Sequence, residues 1–292
     1  MRFEVQFTKY HGLGNDYLVV EPAALGTAEI TAIAPRLCHR NYGVGGDGVL
    51  LGPLPSSTAL AALRIINPDG SEAEKSGNGL RIFARYLWDT QRVGSEPFQI
   101  ETKGGVVNAQ VLPEQGLIRM GMGQARFVDS GTLGLEGPAR EVIDERLEVH
   151  GNTLSCSAVN VGNPHCVIRG VPVTEAEARR LGPLVETAPY FANRTNVQLM
   201  RVIDRSNIEI QIWERGAGYT LASGSSASAA ACAAKRLGLC DERIAVHMPG
   251  GILNVGIDAA FEVIQTGPAA RIAEGTIDRE VFDATGAWPM RR

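Results

Sequence analysis

The chain has no surplus of positive charge, no long apolar run and no even set of cysteines. Of its 292 residues, 28 are Lys or Arg and 32 are Asp or Glu, a formal net charge of -4 at pH 7. The basic footprint of a nucleic-acid-binding surface is therefore missing. No apolar segment approaches the ~20 residues needed to span a bilayer. The opening MRFEVQFTKYHGLGND alternates and carries charge where a signal peptide has an apolar stretch. These absences predict a cytoplasmic protein with neither nucleic acid nor membrane as partner. Cys38, Cys156, Cys166, Cys232 and Cys240 are odd in number and widely spaced, which argues against a disulfide framework and against a zinc site. No metal is expected. Glycine, by contrast, is plentiful at 34 residues, as many tight turns and close backbone approaches require.

The chain also contains an approximate copy of itself. GNDYLVV from Gly14 matches GNPHCVI from Gly162, SGNG from Ser76 matches SGSS from Ser223, and GGVVNAQV from Gly104 matches GGILNVGI from Gly250. Three matches in one order, at offsets of 148, 147 and 146 residues, predict two homologous halves. In the first half ALRIINPDGSE reads as a strand ending in a turn, GNGLRIFARYLWDTQRVG as a helix, and QIETKGGVVNAQV as short strands. The second half repeats this with SNIEIQIWERGAG, the Ala-rich SSASAAACAAKRLG and RIAVHMPGGILNVGI. A helix with no polar face belongs inside its domain. The predicted fold class is α/β (α+β), with two pseudo-symmetric domains, each a β-rich mixed sheet wrapped around a central helix. The expected boundaries are 1–122 plus 277–292 for one domain and 123–276 for the other.

In each half a Ser-Gly pair stands where a turn enters the main helix. Helix N-termini expose N–H groups and a positive dipole end, so they attract carboxylate or phosphate. Serine is also a preferred N-cap, and for either motif alone capping explains it. The paired placement favours function. Two opposed acid/base groups flanking a Cα are what stereoinversion needs, one to remove the proton and one to return it.

HGLGNDYLVV, NYGVGGDG, NPDGSEAEKSGNG, VGNPHCVI, NRTNVQ, WERGAG and MPGG, in that order along nearly the whole chain, make it similar to the diaminopimelate epimerase family. That resemblance implies a cofactor-independent isomerase of lysine and cell-wall biosynthesis, with two α/β domains, a cleft between them and two cysteines as acid and base. It implies a homodimer and a small amino acid bearing a carboxylate, diaminopimelate-like, as the substrate. No cofactor is implied. Carried onto this chain, Gly77 and Asn78, and Gly224 and Ser225, hold the α-carboxylate through backbone N–H groups. Asn67, Asn163, Asn196 and Arg215 bind the distal carboxylate, Glu214 lies near the amino groups and counts with Ser76, Ser223 and His165 as a catalytic candidate, and Asn15 lies near the reacting centre. His165 is placed near the second catalytic position, as a base acting through Ser223.

The departures fall on the chemistry. The family pattern has Cys-Gly-Asn-Gly at Ser76–Gly79 and Cys-Gly-Ser-Gly at Ser223–Ser226. A Gln of the pattern is Gly48, and a Glu is Tyr219. A thiol with a reference pKa of ~8.5 ionises near neutral pH when a helix N-terminus lowers it; a serine hydroxyl needs an adjacent base. Three readings follow: an isomerase working through Ser76 and Ser223, a catalytically silent relative that binds a small amino or dicarboxylic acid, and an engineered Cys-to-Ser double variant. Drift around the second motif, in GYTLASGSSASA, weighs against the third.

Overall fold

The computed structural model describes residues 5–26, 28–127, 140–278 and 281. The chain folds as two compact units, residues 1–118 with 269–292, and residues 119–268. Residues 279–280 and 282–292 of the expected C-terminal return lie outside the described residues.

In chain order the first unit contains β1 (Val5–Gly12), β2 (Asn15–Val20), α1 (Pro22–Leu25), α2 (Ile30–Leu37), β3 (Val49–Leu54), β4 (Ala61–Ile66), β5 (Glu72–Ala73), α3 (Gly77–Asp89), β6 (Phe98–Thr102) and β7 (Gly105–Leu112). The second contains β8 (Leu117–Gln124, entering from the first), β9 (Glu145–Val149), β10 (Asn152–Asn160), β11 (Pro164–Arg169), α4 (Glu175–Glu186), β12 (Asn196–Asp204), β13 (Asn207–Glu214), β14 (Gly218–Thr220), α5 (Gly224–Arg236), β15 (Arg243–Met248), β16 (Gly251–Ile257) and β17 (Glu262–Gly267). β18 (Ala270–Ile277) returns to the first unit. The class is mixed α/β and strand-rich.

The two units are wired alike. In the first, β18, β1 and β2 pair antiparallel in turn, β2 pairs parallel to β3, β3 antiparallel to β4, β4 both antiparallel to short β5 and parallel to β6, and β6 antiparallel to β7. In the second, β9, β10 and β11 pair antiparallel, β11 parallel to β12, β12 antiparallel to β13, β13 both antiparallel to short β14 and parallel to β15, and β15 antiparallel to β16. The repeated sequences fall at corresponding places: β2 and β11, the starts of α3 and α5, β7 and β16.

Registers make the equivalence residue by residue. Leu18 aligns with Val49 across the first parallel pair, one step on from Tyr17 and Gly48. His165 aligns with Asn196 across the second. Tyr17 thus corresponds to His165, and Gly48 to Asn196, at the repeat offset of 148 residues.

Each unit is built around its main helix. Ten of the thirteen residues of α3 and ten of the thirteen of α5 are buried, as an element in the middle of a core must be. α5 carries Ala at 227, 229, 230, 231, 233 and 234, all at 0% exposure, so its backbone approaches the surrounding strands closely. α3 instead buries Leu80, Ile82, Phe83 and Leu87. Burying side chains of that size contributes roughly 1.5–3 kcal/mol each. This packing holds both helix N-termini in fixed positions.

Candidate active site

Ser76 is the N-cap of α3, extended at φ -140 and ψ 117, and its Oγ accepts the Gly79 N–H at 3.1 Å. Ser223 is the N-cap of α5 at φ -143 and ψ 125, with its Oγ 3.5 Å from the Ser226 N–H. The same backbone geometry recurs at both serines. Gly77 and Asn78, and Gly224 and Ser225, fill the first two helical positions, whose N–H groups lie outside the intrahelical ladder. With the dipole end behind them they are suited to a carboxylate.

Around Ser76 the polar side chains form one directed chain. The buried Arg81 guanidinium donates to Asn78 Oδ1. Asn78 Nδ2 donates to Asn15 Oδ1 at 3.0 Å, and Asn15 Nδ2 to Asp47 Oδ2 at 2.7 Å. A donor-only guanidinium at one end and an acceptor-only carboxylate at the other leave one consistent orientation for both amides. Burial pulls the Arg81 guanidinium down to about 10, so it stays charged at neutral pH. Asp47 also takes the Asp16 N–H at 3.0 Å and Arg40 at 2.7 Å. The Tyr17 hydroxyl lies 3.2 Å from Ser76 Oγ. Asn67 stands apart from this chain. It opens the turn between β4 and β5, where its Nδ2 donates to Ser71 Oγ at 2.9 Å and its carbonyl accepts Gly70 N–H at 3.0 Å.

In the second unit Asn196 is fixed by backbone on both sides. Its Oδ1 accepts the Arg215 N–H at 3.0 Å and its Nδ2 donates to the Pro164 carbonyl at 2.9 Å. The Arg215 guanidinium meets the Asn193 carbonyl at 3.1 Å and is exposed. Glu214 accepts the Thr220 hydroxyl at 3.1 Å. The turn that carries Arg215 rests on buried Glu186, which accepts Trp213 Nε1 at 2.7 Å and Gly216 N–H at 3.0 Å. Tyr219 donates to Gln211 at 2.8 Å, with Arg179 4.5 Å above its ring.

His165 is fully buried, and its Nε2 meets Asn163 Oδ1 at 2.9 Å. Burial pushes its pKa down to about 3, Gln198 opposes the shift, and Arg215 adds to it. An imidazole so weakly basic is neutral, with its proton on the Nε2 that faces Asn163. Its Nδ1 and the Gln198 Oε1 are both buried without a hydrogen-bond partner. The Gln198 Nε2 donates to the Ser226 hydroxyl at 3.0 Å. The expected reach of His165 to Ser223 is not among the described hydrogen bonds. The partners of Ser223 Oγ are the Ser225 hydroxyl at 3.4 Å and the Ser226 N–H.

No thiol stands in for either serine. All five cysteines are buried, and burial above all raises Cys38 and Cys232 to about 12. Among the described residues no cluster of three or more His, Cys, Asp or Glu is placed to hold a metal, and no helix is long and apolar enough to cross a membrane. Sequence reasoning missed Tyr17, Asp47 and Glu186. The first lay inside an alternating strand, the second inside a Gly-rich loop. Glu186 sits at the end of a helix, 28 residues from the turn it supports.

Among solved structures the chain is similar to a hydroxyproline epimerase from Agrobacterium vitis, with a TM-score of 0.70, 16% identity, and 95% of this chain and 94% of that one covered. It is also similar to a probable proline racemase from Agrobacterium radiobacter, with a TM-score of 0.70, 17% identity, and 96% and 94% covered. The chain thus shares its fold with these two proteins. The diaminopimelate epimerase pattern matches residues 7–128 and 157–272. The chain is 50% identical over 278 residues to diaminopimelate epimerase 2 of a Nostoc species, covering 95% of this chain and 97% of that protein. It is 39% identical over 276 residues to the diaminopimelate epimerase of Moorella thermoacetica, covering 93% and 98%. The chain belongs to the diaminopimelate epimerase family.

Proposed function

We propose that this chain is a cofactor-independent isomerase that inverts the Cα of an amino acid carrying a distal carboxylate, of the diaminopimelate class, with Ser76 and Ser223 in the acid/base positions. The observation that carries the reading is the shared N-cap geometry of the two serines, at φ -140 and -143, each followed by Gly at the first helical position. The N–H groups of Gly77, Asn78, Gly224 and Ser225 receive the α-carboxylate. Arg215, a bidentate partner for carboxylate, anchors the distal one together with Asn67, Asn163 and Asn196. Glu214 serves the amino groups. When the Cα–H bond breaks, the electron pair is delocalised into the carboxylate, whose growing charge the helix N-termini stabilise. One serine, as its alkoxide, takes the proton and becomes a hydroxyl; the other, as a hydroxyl, delivers its proton to the opposite face and is left as the alkoxide. A cytoplasmic location, a homodimer, and an epimerase-like role for each of the two units belong to the same reading.

General acid–base catalysis by one group contributes roughly 10²- to 10⁴-fold, and hydroxyls replace thiols at both positions. Turnover is therefore slow. That same replacement favours a second reading, a binding protein that keeps carboxylate recognition without proton transfer. Deuterium uptake at Cα of LL-diaminopimelate in heavy water, with calorimetry for binding, separates the two. Slow uptake abolished by both Ser76→Ala and Ser223→Ala is expected. Binding with no uptake selects the second reading, and neither binding nor uptake rejects both.

A further inference from the structure

Gly48 and Tyr17 are matched in shape. A Cβ on Gly48 would lie 2.7 Å from Tyr17 Cε1 and 2.7 Å from the Ile66 carbonyl oxygen, closer than packed atoms come. The Tyr17 ring therefore occupies the space that a side chain at position 48 would need. The backbone fixes this pairing, because Leu18 N–H donates to the Gly48 carbonyl at 3.1 Å. From that seat the phenol hydroxyl reaches Ser76 Oγ at 3.2 Å.

We propose that Tyr17 is the positioning residue of Ser76. Its hydroxyl donates to Ser76 Oγ, and Gly48 makes the room that places it there. The serine oxygen then accepts two hydrogen bonds, from Tyr17 and from the Gly79 N–H at 3.1 Å, at the positive end of α3. Donors aimed at an oxygen favour its negatively charged form, so Tyr17 supplies part of the help an unassisted hydroxyl lacks. With both acceptor positions filled, the serine proton points away from Tyr17 and Gly79. In the second unit the hydroxyl described beside Ser223 Oγ is that of Ser225, at the longer distance of 3.4 Å. The residue equivalent to Tyr17 is His165, which is turned to Asn163 at 2.9 Å. The two serines are thus unequal, with Ser76 the stronger candidate to carry negative charge.

This inference rests on the isomerase reading for its consequence but not for its test. A thiol placed by Ser76→Cys reports the field at position 76 through the pH dependence of its alkylation by iodoacetamide, located by peptide mass spectrometry. The native cysteines are buried and react slowly. The comparison is Ser76→Cys against Ser76→Cys with Tyr17→Phe, which keeps the ring and removes the hydroxyl. Arg81 and Asp47, the charged groups linked through Asn78 and Asn15, are the same in both. A hydrogen bond to a charged group implies a thiol that ionises about 1 to 2 pH units lower when Tyr17 is present. The pair Ser223→Cys with and without His165→Gln should show no such difference. Equal ionisation of the two position-76 thiols overturns the proposal, whether or not the protein turns over substrate. A lowered value without deuterium uptake in the parent keeps the proposal and rejects the isomerase reading. Should Tyr17→Phe fail to fold, Gly48→Ala with Ser76→Cys displaces the ring instead, and an unchanged ionisation again overturns it.

Discussion

Tyr17 and His165 hold equivalent strand positions 148 residues apart, yet they point their polar ends differently. The Tyr17 hydroxyl lies 3.2 Å from the serine that caps α3, whereas His165 Nε2 is 2.9 Å from Asn163 and serves no described hydrogen bond to the serine that caps α5. One repeat sets a phenol hydroxyl against its capping serine; in the other the equivalent residue is a neutral buried imidazole directed to Asn163, and the capping serine meets the Ser225 hydroxyl at 3.4 Å. The two helix entries share a backbone geometry and differ in what surrounds the serine oxygen.

That asymmetry depends on Gly48. Gly48→Ala places a Cβ 2.7 Å from a backbone carbonyl as well as from the Tyr17 ring. A ring can yield, but a strand carbonyl yields less. Overpacking of this kind destabilises by about 1–3 kcal/mol. The expected result is a lower urea midpoint at unchanged m-value. A midpoint equal to the parent's would mean that both neighbours move freely, and the fit between positions 48 and 17 would have no energetic content.

The two caps are expected to differ as well. Ser76 Oγ is 3.1 Å from the N–H it caps, while Ser223 Oγ is 3.5 Å from its own. Loss of a well-formed N-cap costs about 1 kcal/mol, and Ser76→Ala should approach that figure. Ser223→Ala should cost less, because a bond that long is weak. Chemical denaturation of both variants decides it, and the reverse order would mean that the Ser225 contact carries Ser223.

Much of the fold is legible in the sequence, and particular residues show where legibility ends. The repeats GNDYLVV/GNPHCVI and SGNG/SGSS locate β2, β11 and both helix entries, because short-range pattern and turn chemistry fix those elements. The Ala-rich run from Ser225 marks a buried helix for the same reason. The register that sets Tyr17 beside Gly48 is not legible, since it depends on a parallel pairing across a connection that includes α1 and α2. Gly48 stands out only as a departure from a family pattern; its reason is steric and lies in the folded chain. His165 looks like a base because of its neighbours in sequence. Burial, a property of the folded chain, is what removes its basicity. Glu186 gives no signal at all, because its partners Trp213 and Gly216 are 27 and 30 residues away.

Acid should act on the two units in separate windows. His165 has a folded pKa of about 3, below the ordinary ~6.5. The stability it confers is complete above pH ~6.5 and is lost as pH falls from there toward 3. Asp16 is pushed up by burial but held at about 2 overall by Arg40 and Lys9, at 2.8 and 2.9 Å. Its contribution, on the order of 2 kcal/mol, is present above pH ~4 and lost as pH falls through 2. His165→Gln should therefore flatten the stability profile between pH 6.5 and 4, where one proton gives a slope of at most about 1.4 kcal/mol per pH unit. Asp16→Asn should leave that range alone and flatten the profile below pH 4. Denaturation midpoints measured across pH 3 to 8 test both, and an unchanged slope for His165→Gln would show that the imidazole is accessible to protons in the folded state.

Restoring thiols at both caps tests what the serines withhold. Ser76→Cys with Ser223→Cys puts groups of reference pKa ~8.5 at two helix N-termini, where thiolate becomes accessible near neutral pH. The backbone at both positions is already suited to the change, since the N-cap geometry is shared and no new volume beyond a sulfur is introduced. Deuterium uptake at Cα of LL-diaminopimelate should rise by at least the ~10² expected for one effective acid/base group, while substrate affinity stays within a few-fold, because Arg215 and the helix N–H groups are untouched. Each single variant should gain far less than the double, since inversion needs a donor and an acceptor together. If the double variant binds but gains nothing, the obstacle lies in what surrounds the caps. Gly48 and Tyr219 are then the positions to examine: one because it sets the Tyr17 ring against position 76, the other because its hydroxyl is directed to Gln211 at 2.8 Å instead of toward the α5 entry.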